Sequence, residues 1–151
     1  MSLLYRANVA FILENASGKI LVGERRDAAG SWQFPQGGVR DGEKLEAALY
    51  REVEEEILLP SHHYRIYQSK GPYHYCFPKA WKRGAVIGQR QYYFRALLIT
   101  EKFPLKMGDT SREFCSLRWI NPNDFQLNWL PCMKQEVYMR VFRDFFRITL
   151  S

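Results

Sequence analysis

Between Glu43 and Glu56 the chain carries six glutamates and only two basic residues, Lys44 and Arg51. Leu45, Ala48, Leu49, Val53 and Ile57 recur at helical intervals, so this segment is expected to form an amphipathic helix. At ~100° per residue, Glu52 and Glu56 intrude on the apolar stripe and Glu55 borders it, while Glu54 points to water. Like charges three and four residues apart repel by roughly 0.2–0.5 kcal/mol per pair when exposed. Partly buried, they repel more unless protonated or paired. A hard divalent cation, Mg²⁺ or Mn²⁺, removes that penalty, because it prefers carboxylate oxygens and keeps positions open for water and phosphate. Arg51 is placed to orient one of the glutamates. Upstream, Gly37-Gly38 lets the backbone approach a ligand closely, as phosphate-contacting loops require. The competing reading is a solvated, glutamate-rich surface helix.

The elements that must position these groups are legible in outline. Asn8 to Leu13 is apolar and β-favouring, Asn15 to Lys19 holds a turn, and Ile20 to Gly23 resumes an extended pattern, together a hairpin. Asp27 to Ser31 reads as loop, Trp32 to Phe34 as a short strand, and Pro35 to Gly38 as a break in regular structure. The helix is expected over Lys44 to Ile57, with Asp41 as N-cap and Pro60 forbidding continuation. Tyr64 to Gln68 is expected to be a strand, residues 70–89 a long loop, and Gln91 to Thr100 and Leu117 to Ile120 strands. Met133, Val137, Val141 and Phe145 mark a C-terminal amphipathic helix packed on the sheet. This order points to an α+β fold with a mixed sheet covered by helices.

With 151 residues, 46% of them hydrophobic and 25% charged, the chain is long enough for one core. That composition excludes a disordered tail, a collagen-like rod and a multidomain machine, and a single domain over 1–151 is expected. No apolar run approaches a membrane span. The start runs straight into a strand pattern, so no leader is expected. The three cysteines, Cys76, Cys115 and Cys132, fit neither a disulfide scaffold nor a zinc cluster. They are expected to be buried or idle thiols in a reducing cytoplasm. His62, His63 and His74 form no ligand spacing. The net charge is +6, and its distribution says more than its size. Ser61 to Thr100 holds no Asp or Glu but seven basic residues, beside the acidic helix, a segregation suited to a polyanionic partner. Lys79, Lys82 and Arg83 lie among Tyr73, Tyr75, Phe77 and Trp81, and cations beside aromatic faces are how single strands are held. The alternative is a loop whose aromatics tuck into the core.

The acidic pattern has a further regularity. Gly37, five residues, Glu43, seven residues, then Arg51-Glu52-Val53-Glu54-Glu55-Glu56-Ile57-Leu58-Leu59 closely resembles the Nudix box. Every fixed position matches except one glycine, here Leu58, and chance agreement is on the order of 10⁻⁸ per start. A glycine there would take a left-handed conformation at the helix end; here Pro60 is expected to stop the helix instead. The resemblance implies an α/β/α sandwich with a mixed sheet, and hydrolysis of a nucleoside diphosphate linked to another group. It implies that Glu52, Glu55 and Glu56 hold Mg²⁺ or Mn²⁺, and that Glu56 or a glutamate outside the box is the general base for an in-line water.

Tyr5 to Val9, Ser31 to Gly38, Gly88 to Phe94 and Glu113-Phe114 are similar to segments of bacterial RNA pyrophosphohydrolases and of asymmetric diadenosine tetraphosphate hydrolases. Arg-Ala-Asn stands where the group has Arg-Pro-Asn. The similarity implies that Glu113 joins the metal site, that Arg6 and Arg26 lie near the phosphates, and that Gln36, Gly37 and Gly38 line the substrate loop. The substrate expected is 5′-triphosphate RNA, losing pyrophosphate; the alternative is a dinucleoside polyphosphate. A reading of another class is a nucleotide- or RNA-binding module without catalysis. Oligomeric state is not legible in the sequence.

Overall fold

A computed structural model of the chain describes residues 4–79, 84–100, 105–106 and 113–151. In chain order the elements are β1 (Leu4–Glu14), β2 (Ile20–Arg25), β3 (Trp32–Gln33), β4 (Gln36–Gly38), α1 (Leu45–Ile57), β5 (Tyr64–Cys76), β6 (Val86–Leu98), β7 (Phe114–Ile120) and α2 (Cys132–Phe146). The strands form one seven-stranded mixed sheet in the order β3-β2-β1-β6-β5, with β4 on β1 and β7 on β2. β1 runs parallel to β6 along its length, and the other pairings are antiparallel.

Alternation along β1 builds both faces of the core. Ala10 and Ile12 enter one buried cluster with Val137, Val141 and Phe145 of α2. Val9, Phe11 and Leu13 enter the other with Ala48, Leu49, Val53 and Ile57 of α1. Period 2 in the central strand and period 3.6 in each helix thus meet on opposite sides of the sheet, the expected α/β/α sandwich. Each fully buried Val, Leu, Ile or Phe contributes about 1.5–3 kcal/mol. Among the described residues no helix is long and apolar enough to cross a membrane.

Several local expectations are corrected. The β1–β2 hairpin turns as expected, with Asn15 Oδ1 accepting the Ser17 and Lys19 backbone N–H groups at 3.0 Å each. The two strands pair only at Glu14 and Ile20, then part, β1 toward β4 and β6 and β2 toward β3 and β7. Gln36 to Gly38 is not a break but a short strand opposite Asn8 to Ala10. Most of the expected loop at 70–89 is strand. β5 reaches Cys76 and β6 begins at Val86, and a shift of register between Lys70 and Tyr73 absorbs Gly71-Pro72. Asp41 does not cap α1; Gly42 turns the chain at φ +75°, and Lys44 occupies the cap position with no side-chain hydrogen bond. Leu58 itself takes the left-handed conformation, φ 54° and ψ 35°, its N–H donating to Glu54 O. The thiols of Cys76, Cys115 and Cys132 are free and exposed, so of the expected alternatives, buried or idle, burial does not hold.

Candidate active site

Arg51 organises the acidic face of α1. Its Nε and Nη2 grip Glu43 Oε2 and Oε1 at 2.9 and 2.8 Å, its Nη2 also reaches Gly38 O at 3.0 Å, and its Nη1 donates to Glu52 Oε1 at 2.7 Å. Glu55 lies one helical turn on, 3.6 Å from the same Nη1. A planar fork with five donors suits this work, and a lysine could not span it. The guanidinium holds the Glu43 carboxyl down to about 2, and Glu43 in turn raises Arg51. Glu52 moves the other way: burial raises it, Glu55 and Glu56 add to the rise, and Arg51 opposes. Glu52 is tucked against Gly37, where any β-carbon would overlap its carboxylate. Glu52, Glu56 and Gln36 line one small cavity between α1 and the sheet.

The second acid comes from the far end of the chain. Glu113 precedes β7, and its main-chain oxygen accepts the Arg26 N–H at 2.8 Å. Its Oε1 accepts from Gln33 Nε2 at 2.8 Å and from Gln36 Nε2 at 3.3 Å. Burial pushes this carboxyl up to about 8, the two amides oppose the rise, and nearby Glu56 adds to it. Behind it Lys134 of α2, 7% exposed, donates from Nζ to Gln33 Oε1 at 3.0 Å. Burial brings the Lys134 ammonium down to about 8. Gln33 and Lys134 were not singled out from the sequence. Their signal was a polar residue between Trp32 and Phe34 in a short strand, and a lysine on the buried stripe of Val137 and Val141.

Of the expected site residues, Gln36, Gly37, Gly38, Arg51, Glu52, Glu55, Glu56 and Glu113 gather at this junction of β4, α1 and the start of β7. Arg26 is tied to the same strand, its Nη2 donating to Phe114 O at 2.9 Å. Arg6 is exposed on β1, opposite Gln89 of β6. Lys79 is exposed just beyond β5, and Lys82 and Arg83 lie outside the described residues. Of the aromatics in that expectation, Trp81 also lies outside the described residues and Phe77 is half-buried, while Tyr73 and Tyr75 are corrected. Tyr73 and Tyr75 are 8% and 7% exposed within the core, because β5 continues through them and turns their rings inward. Tyr75 also donates to Gln89 Oε1 at 2.5 Å, and its burial leaves no open face for stacking.

The donor set fits a hard dication in kind, since Glu52, Glu55, Glu56 and Glu113 supply carboxylate oxygens and Gly37 leaves the backbone bare beside them. Among the described residues, no three His, Cys, Asp or Glu side chains stand close enough together to hold an ion as placed. Arg51 occupies oxygens of Glu52 and Glu55 that an ion would have to share.

Comparison with known proteins accords with this geometry. A NUDIX domain is matched over residues 4–141. An RNA pyrophosphohydrolase of Haemophilus ducreyi is 35% identical, over 97% of this chain and 77% of the relative. One from Klebsiella pneumoniae is 36% identical, over 97% of this chain and 86% of the relative. Among solved structures, a MutT protein from Methanosarcina mazei superposes with a TM-score of 0.66 at 21% identity, covering 95% of this chain and 97% of that one. A C. elegans Ap4A hydrolase gives a TM-score of 0.61 at 17% identity, covering 79% and 82%. The match spans nearly the whole chain, so the acid-bearing helix and the sheet beneath it place this protein in the Nudix family, as a hydrolase of pyrophosphate bonds.

Proposed function

We propose that this Nudix hydrolase, a single domain over 1–151, acts on RNA with a 5′-triphosphate, dependent on Mg²⁺ or Mn²⁺. The observation that supports this most is the approach of Glu113 to the acidic face of α1 across Gln36, in a chain about 35% identical to proteins named RNA pyrophosphohydrolase. Water adds in line to a phosphorus of the 5′ chain, the anhydride P–O bond breaks, pyrophosphate leaves and the RNA keeps a monophosphate. Glu56 takes the proton from that water. Glu52, Glu55, Glu56 and Glu113 would hold the metal, with Arg51 setting the orientation of Glu52 and Glu55. A dication held there would supply neutralisation of phosphate oxygens and a more acidic water. Gln36, Gly37 and Gly38 line the phosphate path, with Arg6 and Arg26 beside it, and Lys79, Lys82 and Arg83 draw the RNA backbone. The same reading puts the activity in the cytoplasm, away from any membrane.

A second reading, hydrolysis of a dinucleoside polyphosphate, draws on the Ap4A hydrolase fold likeness and uses the same site. The non-catalytic reading falls with membership of a hydrolase family. Side-by-side assays with triphosphorylated RNA and diadenosine tetraphosphate, at matched enzyme and metal, separate the two. RNA is expected to give the larger kcat/KM; a much larger value for the dinucleotide would remove RNA processing as the main role. Glu56→Gln is expected to abolish turnover with the fold intact. Wild-type turnover of that variant in both metals would reassign the base.

A further inference from the structure

Asn8 and Gln91 are 1% and 3% exposed, and Tyr93 is fully buried. Polar groups so deep in a sheet are retained only when paired, and the manner of pairing here has a direction. Tyr93 OH donates to Gln91 Oε1 at 3.0 Å, and Gln91 Nε2 donates to Asn8 Oδ1 at 2.9 Å. Asn8 Nδ2 donates to Gln36 Oε1 at 2.6 Å, and Gln36 Nε2 donates to Glu113 Oε1 at 3.3 Å. Every link points the same way. Glu113 Oε1 accepts at one end, so Gln36 turns its amide nitrogen toward it and its oxygen toward Asn8, and each amide fixes the next. A second, shorter arm runs from Lys134 through Gln33 to the same oxygen. An ammonium can only donate, so that arm is oriented by its own origin. Both arms end on Glu113 Oε1, and neither occupies Oε2.

Strand register makes this possible. Parallel β1 and β6 set Asn8 opposite Gln91, and antiparallel β4 sets Gly38 opposite Asn8, two residue pairs from Gln36 and Ala10. We infer that Asn8, Gln91 and Tyr93 are positioning residues, whose aligned hydrogen bonds hold Gln36, and through it Glu113, aimed at the acidic face of α1. This rests on the reading that Glu113 joins those acids in binding a dication. Aligned bonds polarise one another, and groups that orient metal ligands typically change affinity or activity 10- to 100-fold when lost.

The test is titration with Mn²⁺ alone, free ion read by electron paramagnetic resonance, beside thermal melting. Wild type is compared with Asn8→Leu, Gln91→Met, Tyr93→Phe and a control, Val141→Ala, which opens a cavity in the core under α2. Asn8→Leu and Gln91→Met are expected to weaken Mn²⁺ about tenfold, and Tyr93→Phe, at the far end, about two- to threefold. Val141→Ala is expected to melt lower yet bind Mn²⁺ as wild type does. Should the relay variants bind Mn²⁺ like wild type while melting lower, the network is structural and the inference is overturned. If Asn8→Leu fails to fold, Gln91→Met and Tyr93→Phe decide by the same criterion. Absence of Mn²⁺ binding in wild type would instead bring down the metal-site reading itself, and this inference with it.

Discussion

Gly37 and Glu52 compete for one space: a methyl group on the glycine would overlap the carboxylate carbon and Oε2 of the glutamate. The backbone at Gly37 sits in an ordinary strand opposite Val9, so the glycine is required by close approach rather than by its φ. Gly37→Ala should drive Glu52 from its place while the sheet persists. We expect kcat to fall about 100-fold, with a loss of stability of about 1–3 kcal/mol. Steady-state kinetics and thermal melting check this, and unchanged turnover would detach Glu52 from the reaction.

Arg51 makes a fork to Glu43 and a single bond to Glu52. Arg51→Lys keeps the charge and loses the fork. Stability is expected to fall by about 2 kcal/mol, with kcat lowered about tenfold through misplaced carboxylates. A lysine variant as stable and active as wild type would show that charge alone suffices.

Glu113, raised from 4.5 to about 8, binds a proton in the folded state that the unfolded chain has already released. The metal-free protein should therefore lose stability as pH rises from about 4.5 to about 8. Lys134, lowered from 10.5 to about 8, acts above that window and in the opposite sense, adding stability as pH rises further. Glu43, lowered to about 2, contributes stability that disappears as pH falls from about 4.5 through about 2. Melting temperature against pH in the presence of a chelator gives the profile. Glu113→Gln should flatten the decline between 4.5 and 8, and a variant that retained it would assign the decline elsewhere.

Leu58 holds a left-handed backbone at φ 54° and is 44% exposed. That conformation costs an L-residue with a β-carbon about 1–2 kcal/mol, and little burial is lost by removing the side chain. Leu58→Gly should raise the melting temperature by about 2–4 °C without changing kcat. A lower melting temperature would mean that Leu58 contributes packing that outweighs the strain.

Lys79, Lys82 and Arg83 are proposed to track RNA phosphates. Replacing all of them by Ala should reduce the slope of log affinity against log salt for a single strand by about 2. An unchanged slope would return the segment to a solvated loop.

Spacing along the chain was enough for the acids. Glu43, Arg51, Glu52, Glu55 and Glu56 lie on one helix and its approach, and a helix converts sequence interval into direction with no help from the rest of the molecule. The two-sided core was legible for the same reason, through period 2 in β1 and period 3.6 in α1 and α2. Tertiary structure decided what depends on partners distant in sequence. It turned Tyr73 and Tyr75 inward, because an antiparallel partner at Gly88 to Gln91 extends β5 through residues that look like loop. It brought Glu113, Gln33 and Lys134 to one point from segments about 20 to 100 residues apart, where burial rather than residue type sets their protonation. It also put Leu58 in a glycine's conformation, between Ile57 and Leu59, which are both buried in the core cluster beneath α1.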